Sequence, residues 1–552
     1  MADQDVRLAG VHEDRVRSND RRVVTLGDEK ASFEKLHCTL DLLTCWEDEM
    51  TSIMTGAGVP YGTQIRRIAE ADPDGVGILF VAEDGAEREV TWRELDERST
   101  QLAHVFAEKG LSVGDFLAVC LPNSPEHLMA CFAGWKVGAS VIPMRWDLPE
   151  WERGRVLATM RPTLIVDADH PEYFEASLSA STVALDEVTP PRGWGVCSSG
   201  STGVPKVIMM NAEGLFFAEM GMNTIVEAYG PLPQPQRVLV PAPLYHTNGF
   251  TATRNLMNGE RIVLLARFNA GQILELIPKH KITGFIGATP MLLRLSQVPD
   301  IDGRDLSSLD WVQQGASPLP VWLGRRWCDL VGPEHLFLSY GASEGHGLVS
   351  CRGDQWLAHL GTLGLPYGET EVKILDADGN ELPPGEVGGI YMRTPLGPAA
   401  SYIGENVTPM AKTNEGFVTV GDLGWLDEEG YLFMADRRVD LIVTGAANVY
   451  PAEVEAALSE HPEILDVVVV GLRDAEWGRR VHAIIQPADR DNPPDAADVI
   501  EFAKGRLAPY KAPKTVEFVD SLPRSDAMKL SRGALVLERD GPEPADEPSA
   551  TT

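Results

Sequence analysis

Hydrophobic and polar positions alternate between helix-like and strand-like patterns from about residue 60 onward. The stretch TWRELDERSTQLAHVFAEKG predicts a helix that stops at Gly110, because its apolar side chains recur at helical spacing. These apolar positions are Leu95, Leu102, Ala103 and Phe106. A buried strand (DFLAVCLPN), a second helix and a second strand (both within PEHLMACFAGWKVGASVIPM) follow. Repeated alternation of strands and helices favours parallel sheets, so the pattern predicts an α/β core.

The pattern changes between about residues 361 and 435, where short strands joined by turn dipeptides such as Asp378-Gly379 predict a β-rich region. A compact α+β unit is predicted after it. The helix YPAEVEAALSEH has Pro451 near its first turn, and the strands DVVVVGL and RVHAIIQ follow. A further helix, DAADVIEFAKGRL, is closed by Pro509.

The composition is that of a folded protein, since 44% of 552 residues are hydrophobic. The formal net charge of −33 argues against nucleic-acid binding, which needs a basic surface. The seven cysteines include no CxxC pair and no zinc-like spacing with histidine, so we expect reduced thiols and a cytoplasmic location. The N-terminus lacks the apolar core of a signal peptide, and no apolar run reaches the roughly 20 residues of a membrane span.

The segment CSSGSTGVPK, residues 197–206, carries the most informative chemical signal. Its small residues allow backbone amides and hydroxyls to surround phosphate oxygens, and Lys206 adds a positive charge within reach. It is not a Walker loop, because Lys206 follows Pro205 instead of glycine and no serine or threonine comes next. Taken alone, this composition fits a flexible linker as well as a phosphate-binding loop.

Five further segments favour the phosphate-binding interpretation. They are PLYHTNG (243–249), SYGASEG (339–345), FVTVGDLGWLDEEGYL (417–432), DRRVDLIVTGAANVYPAEVE (436–455) and LPRSDAMKLSR (522–532). With these motifs in order over about residues 60–535, the chain resembles the adenylate-forming superfamily of acyl-CoA synthetases, non-ribosomal adenylation domains and luciferases. The stretches PMRWDLPEWERGRVLATMRPTLIV and ANVYPAEVEAAL look most like the fatty-acid or bile-acid/steroid CoA ligases.

The resemblance implies an α/β fold with a large N-terminal domain and a small, mobile α+β C-terminal domain. The large domain would consist of two β/α subdomains and a β-barrel-like subdomain. The implied boundaries are 50–435 for the N-terminal adenylation core and 436–535 for the C-terminal domain. Residues 1–49 are then an extension, and residues 536–552 are expected to form a disordered acidic tail.

The resemblance also implies that the chain binds ATP and Mg²⁺. Thr202 and Lys206 would hold the β- and γ-phosphates, and Glu344 would ligate magnesium, a hard cation that prefers oxygen ligands. Tyr340 would stack on adenine, and Asp422 would accept hydrogen bonds from two ribose hydroxyls. Outside these motifs, the simpler interpretation of Glu344 is a solvated carboxylate in a loop, and that of Asp422 is a turn residue after Gly421. The implied nucleotide-binding set is Ser199, Gly200, Ser201, Thr202, Gly203, Lys206, Gly315, Ala316, Ser317, Tyr340, Gly341, Ala342, Ser343, Asp422 and Arg437.

Four residues are implied in catalysis: Lys529, Glu344, Thr202 and His246. Lys529 would bridge the acyl carboxylate and ATP oxygens from the mobile domain, a task that suits an ammonium on a long stem. His246 would pack beside the carboxylate, although a histidine near an apolar run is also common as a structural residue.

Two departures from the family pattern concern the second half-reaction. Met528 stands where relatives have glycine, which predicts a restricted loop, and Gly445-Ala446-Ala447 replaces a Gly-Gly loop that helps CoA ligases form the pantetheine tunnel. We therefore expect acyl-adenylate formation followed by thioester formation with CoA, with an amide-forming or carrier-loading enzyme as the alternative. The expected partners are a bulky apolar or aromatic acid, ATP, and CoA or an amine, without integral membrane association. A homodimer is compatible with the sequence.

The acid pocket is predicted to be lined from three regions of the chain. They are Tyr245–Phe250, Met291–Leu295 and Gly345–Val349.

Overall fold

The computed structural model describes residues 58–197, 206–217, 224–395, 397–404, 409–437, 440–444, 447–474, 476–526 and 528–541. Its helices are α1 (Tyr61–Ala71), α2 (Trp92–Glu108), α3 (Pro125–Val137), α4 (Glu150–Met160), α5 (Glu172–Ser177), α6 (Thr224–Glu227), α7 (Thr247–Met257), α8 (Ala270–His280), α9 (Thr289–Ser296), α10 (Val321–Val331), α11 (Gly353–Ala358), α12 (Pro451–Leu458), α13 (Ala496–Lys504) and α14 (Arg532–Asp540). Short 3₁₀ turns occur at Ile301–Gly303 and Pro333–His335.

The strands, in chain order, are β1 (Val59–Pro60), β2 (Val76–Val81), β3 (Glu87–Thr91), β4 (Phe116–Val119), β5 (Ser140–Pro143), β6 (Leu164–Val166), β7 (Gly195–Cys197), β8 (Val207–Met210), β9 (Leu215–Phe216), β10 (Arg237–Val240), β11 (Arg261–Leu265), β12 (Gly284–Ala288), β13 (Trp311–Gly315), β14 (Leu336–Gly341), β15 (Leu348–Arg352), β16 (Thr362–Pro366), β17 (Glu371–Leu375), β18 (Gly388–Arg393), β19 (Ala400–Ile403), β20 (Ala411–Lys412), β21 (Val418–Thr419), β22 (Asp422–Leu426), β23 (Leu432–Arg437), β24 (Ile442–Thr444), β25 (Ala447–Val449), β26 (Ile464–Asp474), β27 (Gly478–Pro487) and β28 (Thr515–Phe518).

The first predicted helix is confirmed as α2. The Thr91 side chain accepts a hydrogen bond from the backbone N–H of Glu94 at 3.1 Å and so caps the first turn. All four apolar positions that predicted the helix are buried. The chain leaves the helix through Gly110, whose φ of +95° is accessible to glycine at little cost.

The predicted parallel pairing is confirmed in a small sheet with the order β5–β4–β6. Its connecting helix, α3, begins with Pro125 and is capped by Ser124, and it ends at Gly138, which has a φ of +87°. The helix is buried on nearly every side, because it packs against α2 as well as against the sheet.

The largest sheet has the order β20–β21–β18–β22–β23–β16–β15–β14–β13–β12–β10–β11–β2–β3, with β17 beside β18. Its central strands, β10 to β14, are parallel, and the helices α7 to α10 connect them. The carboxyl ends of parallel strands meet at one edge, so the chain segments that follow Ala288, Gly315 and Gly341 lie near one another. Open α/β sheets bind ligands at this edge.

The predicted β-rich region contains β16 to β23. Most of these strands pair antiparallel and extend the large sheet. One of them, β19, instead pairs with β8, which directly follows the Ser/Gly-rich loop. This pairing joins the loop region to a distant part of the chain.

The α+β unit after residue 437 is confirmed. Pro451 opens α12, β26 and β27 form a long antiparallel pair, and β28 lies parallel to β27. The helix α13 ends at Lys504, several residues before Pro509. The boundary predicted at residue 436 stays a prediction.

The predicted disordered tail is wrong over residues 536–540, because α14 continues to Asp540. Ser531 caps this helix, and Leu535 is buried in a cluster with Val468 and Val470 of β26. This packing stabilises the helix, although the polar composition of the segment did not predict one. Residues 1–49, predicted as an extension, and residues 542–552 lie outside the described residues.

Among the described residues, the contacts between the α+β unit and the large sheet region include two side-chain hydrogen bonds. Gln297 donates from Nε2 to the Leu465 carbonyl oxygen at 3.2 Å, and Trp322 donates from Nε1 to Ser459 Oγ at 2.9 Å. In the part of the chain that the structure describes, no helix combines the length and apolar character needed to cross a membrane.

Candidate active site

The Ser/Gly-rich loop connects β7 to β8, where Cys197 pairs with Val207. The loop residues Ser199, Gly200, Ser201, Thr202 and Gly203 lie outside the described residues, so their phosphate-binding role stays a prediction. Lys206 is described, and its Nζ lies 4.6 Å from the centre of the Tyr402 ring. An ammonium over an aromatic face is attracted by the ring quadrupole, so this contact orients the lysine.

Tyr402 also contacts the predicted magnesium ligand. Its hydroxyl donates to Glu344 Oε1 at 2.7 Å, and the backbone N–H of Ala400 donates to the Glu344 carbonyl oxygen at 3.1 Å. Burial, together with the bond to Glu344, raises the pKa of the Tyr402 phenol, so it remains a donor at neutral pH. The strand β19 therefore holds the Glu344 carboxylate in place and brings it near Lys206.

The environment of Glu344 fits magnesium by its chemistry. The described residues contain no group of three or more His, Cys, Asp or Glu side chains that could hold a metal ion. Magnesium needs no such cage, because it is usually bound by one or two carboxylates together with substrate phosphates and water. A single oriented carboxylate beside the predicted phosphate loop is therefore sufficient on the protein side.

The two predicted nucleoside residues are directly joined. The Tyr340 hydroxyl donates to Asp422 Oδ2 at 2.9 Å, and both side chains are almost fully buried. Asp422 also lies opposite Arg437 in the β22–β23 pair, although the Arg437 side chain is outside the described part. A phenol ring beside a carboxylate is a suitable arrangement for a base and its ribose hydroxyls.

The predicted adenine strip follows directly after β13. Gly315 is the last residue of that strand, and Ala316 has a φ of +74°, so the backbone turns sharply there. The Ser317 carbonyl oxygen accepts hydrogen bonds from Gln314 Nε2 at 2.6 Å and from Thr289 Oγ1 at 3.1 Å. These buried partners fix the conformation of the turn, so that a planar ligand such as adenine could pack against its backbone.

The loop after β14 carries the remaining predicted nucleotide contacts and meets the start of α7. A Cβ atom at Gly341 would lie 3.1 Å from the Gly347 carbonyl oxygen, so the close approach favours glycine. Ala342 follows, and Ser343 Oγ lies 3.0 Å from Thr247 Oγ1.

His246 is the N-cap residue of α7 and is half-buried. Burial, then the positive charges of Lys529 and Arg145, lower its pKa to about 3. The imidazole is therefore neutral at neutral pH. The structure thus brings Lys529 of the α+β unit close to the predicted acyl-site histidine.

The loop that carries Lys529 is fixed by Arg524. Its guanidinium forms two hydrogen bonds with Asp466, at 2.6 and 2.9 Å, and a third from Nη1 to the Met528 carbonyl oxygen at 3.2 Å. The backbone N–H of Lys529 donates to Ser525 Oγ at 3.2 Å. A charge-assisted bidentate pair of this kind gives the loop a definite geometry.

Met528 turns the chain in the way that the expected glycine would. Its φ is +59°, in the left-handed region that costs a residue with a Cβ atom some strain. Its side chain is buried in an apolar cluster with Ala242, Ala288 and Met291 of the large sheet region. Compared with glycine, Met528 therefore adds backbone strain but also provides an apolar contact between the Lys529 loop and the rest of the site.

A cavity of about 150 Å³ lies along α7. Its wall includes Asn248, from the first of the three regions predicted to line the acid pocket, and no residue from the other two. Its remaining lining comes from α6, α7, the strands β10, β12 and β13, and the residue that follows β10: Ile225, Val238, Leu239, Val240, Pro241, Thr251, Asn255, Ile286, Trp311 and Gln313. Lining from strands depends on the sheet order, which the sequence pattern does not specify.

Two residues near the site, Tyr402 and His346, have contacts or burial that their sequence context did not predict. Tyr402 lies outside every quoted motif, and its role depends on the β8–β19 pairing. His346 lies just after the motif containing Glu344; it is 1% exposed, and its Nδ1 has no hydrogen-bond partner in the described residues. Burial lowers the pKa of His346. The sequence placed His346 within the Gly345–Val349 region predicted to line the acid pocket, but gave it no role of its own.

Comparison with known proteins agrees with this geometry. Residues 65–192 and 196–403 match the AMP-binding enzyme family, and residues 453–529 match the AMP-binding enzyme C-terminal domain. A feruloyl-CoA synthase from Amycolatopsis sp. is 30% identical over 467 residues, which are 81% of this chain and 93% of the relative. A 2-succinylbenzoate–CoA ligase from Bacillus licheniformis is 29% identical over 489 residues, 85% of this chain and 98% of the relative.

The solved structure of the o-succinylbenzoate CoA synthetase from Bacillus subtilis with its acyl-adenylate intermediate superimposes with a TM-score of 0.72. It is 27% identical, and the match covers 86% of this chain and 97% of that one. The same synthetase in complex with ATP and a magnesium ion gives a TM-score of 0.71. The described fold, with its large domain and small C-terminal domain, is thus the adenylate-forming fold, and the chain belongs to the AMP-binding enzyme family.

Proposed function

We propose that this protein is an AMP-forming acid–CoA ligase that activates an aromatic carboxylic acid. The observation that carries the proposal is the position of Lys529, whose charge acts on His246 at the start of α7 while Glu344 and Lys206 converge on Tyr402. Two lysines thereby supply positive charge for phosphate and carboxylate oxygens, and the joined pair of Tyr340 and Asp422 is suited to a nucleoside.

The first half-reaction joins the acid to AMP. A carboxylate oxygen bonds to the α-phosphorus of ATP, the bond from that phosphorus to its bridging oxygen breaks, and pyrophosphate leaves with the electron pair. Lys529 offsets the negative charge that shifts onto the phosphate oxygens. Because His246 is neutral, Lys529 is the group that interacts electrostatically with the negative charge of the carboxylate. Glu344 is the side chain that would hold magnesium, which neutralises phosphate charge when bound.

The second half-reaction passes the acyl group to CoA. The sulfur of CoA attacks the acyl carbon, AMP leaves, and the thiol proton is released. Support for CoA and for an aromatic acid comes from the relatives, which are named for feruloyl-CoA and for the CoA ester of 2-succinylbenzoate. The alternative acceptors are an amine or the thiol of a carrier protein.

The described cysteines support a cytoplasmic location. Cys120, Cys131, Cys328 and Cys351 are buried and free, and Cys197 is free and partly buried. A reducing compartment suits thiols that the fold keeps unpaired.

The test is acid-dependent exchange of radioactive pyrophosphate into ATP, measured over a panel of aromatic and aliphatic acids. We expect exchange with at least one aromatic acid, and an acyl-CoA thioester when CoA is then added. If no acid supports exchange, the adenylation proposal is wrong. If exchange occurs but only an added amine or carrier protein is acylated, the adenylation proposal stands and the choice of CoA is wrong.

A further inference from the structure

The turn that carries Lys529 is closed by its own hydrogen bonds. The backbone N–H of Ser525 donates to the Lys529 carbonyl oxygen at 2.8 Å, and the backbone N–H of Lys529 donates to Ser525 Oγ at 3.2 Å. The backbone N–H of Met528 donates to the Ser525 carbonyl oxygen at 2.7 Å. Asp526 lies within this turn, so a contact that fixes Asp526 also fixes the position of Lys529.

Two residues of the turn contact the same short stretch of the large sheet region. Asp526 Oδ1 lies 3.7 Å from Arg267 Nε, as an ion pair. Arg267 lies two residues after the end of β11. The next residue, Phe268, packs against the apolar cluster that contains Met528. One ionic and one apolar contact therefore seat the turn side by side.

The two contacts determine different properties of the turn. Burial of the Met528 side chain stabilises the seated turn, but an apolar contact has little directional preference. The ion pair joins two defined groups and so favours one orientation. The Arg267 side chain is 53% exposed and that of Asp526 is 33% exposed, so the pair adds little to the stability of the fold. Its loss should change how the turn is oriented without unfolding the protein.

The region that receives the turn is positively charged. Burial is the main reason that the pKa of His246 is low, and the charges of Lys529 and Arg145 lower this pKa further. Lys529 and Arg145 therefore both lie within electrostatic range of the same imidazole. Arg267 adds a second guanidinium beside the turn. The turn thus carries an ammonium toward other cations, and Asp526 is the carboxylate that it brings to offset them.

Two other carboxylates lie near these arginines. Asp147 accepts hydrogen bonds from Arg145 Nε at 2.5 Å and from Arg145 Nη2 at 2.9 Å. These bonds are the main reason that the pKa of Arg145 is raised, and Asp526 adds to the effect. Glu83 lies 4.0 Å from Arg267 Nη1 and is 67% exposed. Asp526 therefore interacts with both guanidinium groups and forms its ion pair with Arg267.

We infer that Asp526 is a positioning residue for adenylate formation: its ion pair with Arg267 orients the turn so that the Lys529 ammonium reaches the reacting carboxylate and phosphate oxygens. The inference rests on the proposed function and adds to it a residue that does not touch the substrates. Asp526 acts on the reaction only through Lys529. Transfer of the acyl group, in which Lys529 has no proposed role, is therefore independent of Asp526.

The experiment measures the two half-reactions separately in the full chain. Adenylate formation is followed as pyrophosphate exchange, with the aromatic acid that gives the fastest exchange in the wild type. Acyl transfer is followed after the acyl-adenylate of the same acid is supplied together with CoA, or with the amine or carrier protein if the wild type uses one of these.

Charge reversal and exchange of the two charges test the ion pair. D526R and R267D should each lower kcat for pyrophosphate exchange roughly tenfold, because each replaces an attraction by a repulsion. The double variant D526R/R267D has opposite charges in exchanged positions and should return to within about threefold of the wild type. Acyl transfer should stay at the wild-type rate in all three. D520R is the matched control, because it makes the same charge change at an exposed residue of the same unit.

Neutral variants decide the question if charge reversal prevents folding. D526N and R267Q each remove one charge and should slow exchange roughly threefold. The double variant D526N/R267Q should be no slower than either single variant, because the interaction is already lost. The loss in the single variants, relative to the wild type at the same salt, should shrink between about 0.05 and about 0.5 M potassium chloride, since salt screens exposed charges.

The outcomes distinguish this inference from the proposed function. Wild-type exchange rates in D526R and D526N would overturn the inference. Equal losses in the two half-reactions would also overturn it, because the ion pair would then not act through Lys529. Losses that multiply in the double variants would do the same, since the two side chains would then act separately. In each case the wild type still exchanges pyrophosphate, and the proposed function stands. If the wild type exchanges with no acid, the proposed function fails, and the inference with it.

Discussion

The Tyr402 hydroxyl donates a hydrogen bond to the Glu344 carboxylate at 2.7 Å, while the Tyr402 ring lies beneath the Lys206 ammonium. One side chain of β19 thus positions both the predicted magnesium ligand and the predicted phosphate-binding lysine. The arrangement exists because β19 pairs with β8, which starts directly after Lys206.

Replacing Tyr402 with phenylalanine should weaken magnesium binding and leave the protein folded. The ring remains for Lys206, but the Glu344 carboxylate loses the donor that orients it. Groups that orient metal ligands typically contribute 10- to 100-fold in metal affinity, so we expect a roughly tenfold higher magnesium concentration for half-maximal pyrophosphate exchange. Y510F is the matched control, since Tyr510 is 47% exposed on the α+β unit. An unchanged magnesium dependence in Y402F would contradict the assignment.

Two substitutions at Met528 separate backbone strain from packing. M528A keeps the left-handed backbone strain and loses the contacts with Ala242, Ala288 and Met291, whereas M528G loses the same contacts but relieves the strain. Left-handed conformation costs a non-glycine residue about 1 kcal/mol or more, so M528G should be more stable than M528A by about that amount. Denaturant unfolding measures the difference.

The same pair of variants tests the contact between the Lys529 loop and the large sheet region. Both should slow adenylate formation, because the apolar contact that seats the loop is gone in each. Transfer from a supplied acyl-adenylate should be much less affected. Equal slowing of both half-reactions would show that Met528 does not act on the adenylating arrangement specifically.

Removing the Lys529 ammonium should affect one half-reaction only. K529A is expected to lower the rate of adenylate formation by at least 100-fold, since losing one stabilising charge or donor in a transition state costs that much in comparable sites. Thioester formation from a supplied acyl-adenylate should persist. K504A is the control, because Lys504 pairs with Glu501 on the surface of α13. Equal loss of both steps in K529A would exclude the two-step role proposed for this lysine.

The sequence predicted the elements whose signals are local. The helix α2 followed from apolar spacing and a stop at Gly110, and α12 followed from Pro451 in its first turn. The motif residues Glu344, Asp422 and Lys529 were identified because each stands inside a recognisable stretch. Local pattern and motif order were sufficient for these.

Features that depend on long-range packing were not predictable. The helix α14 is polar in composition, and its stability depends on Leu535 meeting β26. Tyr402 gains its role from a pairing between strands nearly two hundred residues apart, and Asn255 lines a cavity whose far wall comes from three strands. Sequence periodicity indicates which face of an element is apolar, but it does not specify which element will cover that face.

Acid should destabilise the protein through histidines that the fold keeps neutral. His127 is fully buried, its Nδ1–H donates to the Leu121 carbonyl oxygen at 3.0 Å, and burial lowers its pKa to about 4. A histidine in the unfolded chain has a pKa of about 6.5. Between that pH and about pH 4, His127 therefore binds a proton in the unfolded chain but remains neutral in the folded one. Stability is therefore fully present above about pH 6.5 and falls as the pH drops toward 4.

The loss from His127 alone is on the order of 3 kcal/mol at the acid end of this range, and His246, with a pKa of about 3, adds to it. H127Q supplies an amide donor for the Leu121 carbonyl and does not titrate. Denaturant unfolding at several pH values between 7.5 and 4.5 should show a slope of stability against pH that is smaller by about one proton in H127Q. An identical slope in the two proteins would mean that His127 is already protonated in the folded state, contrary to its burial.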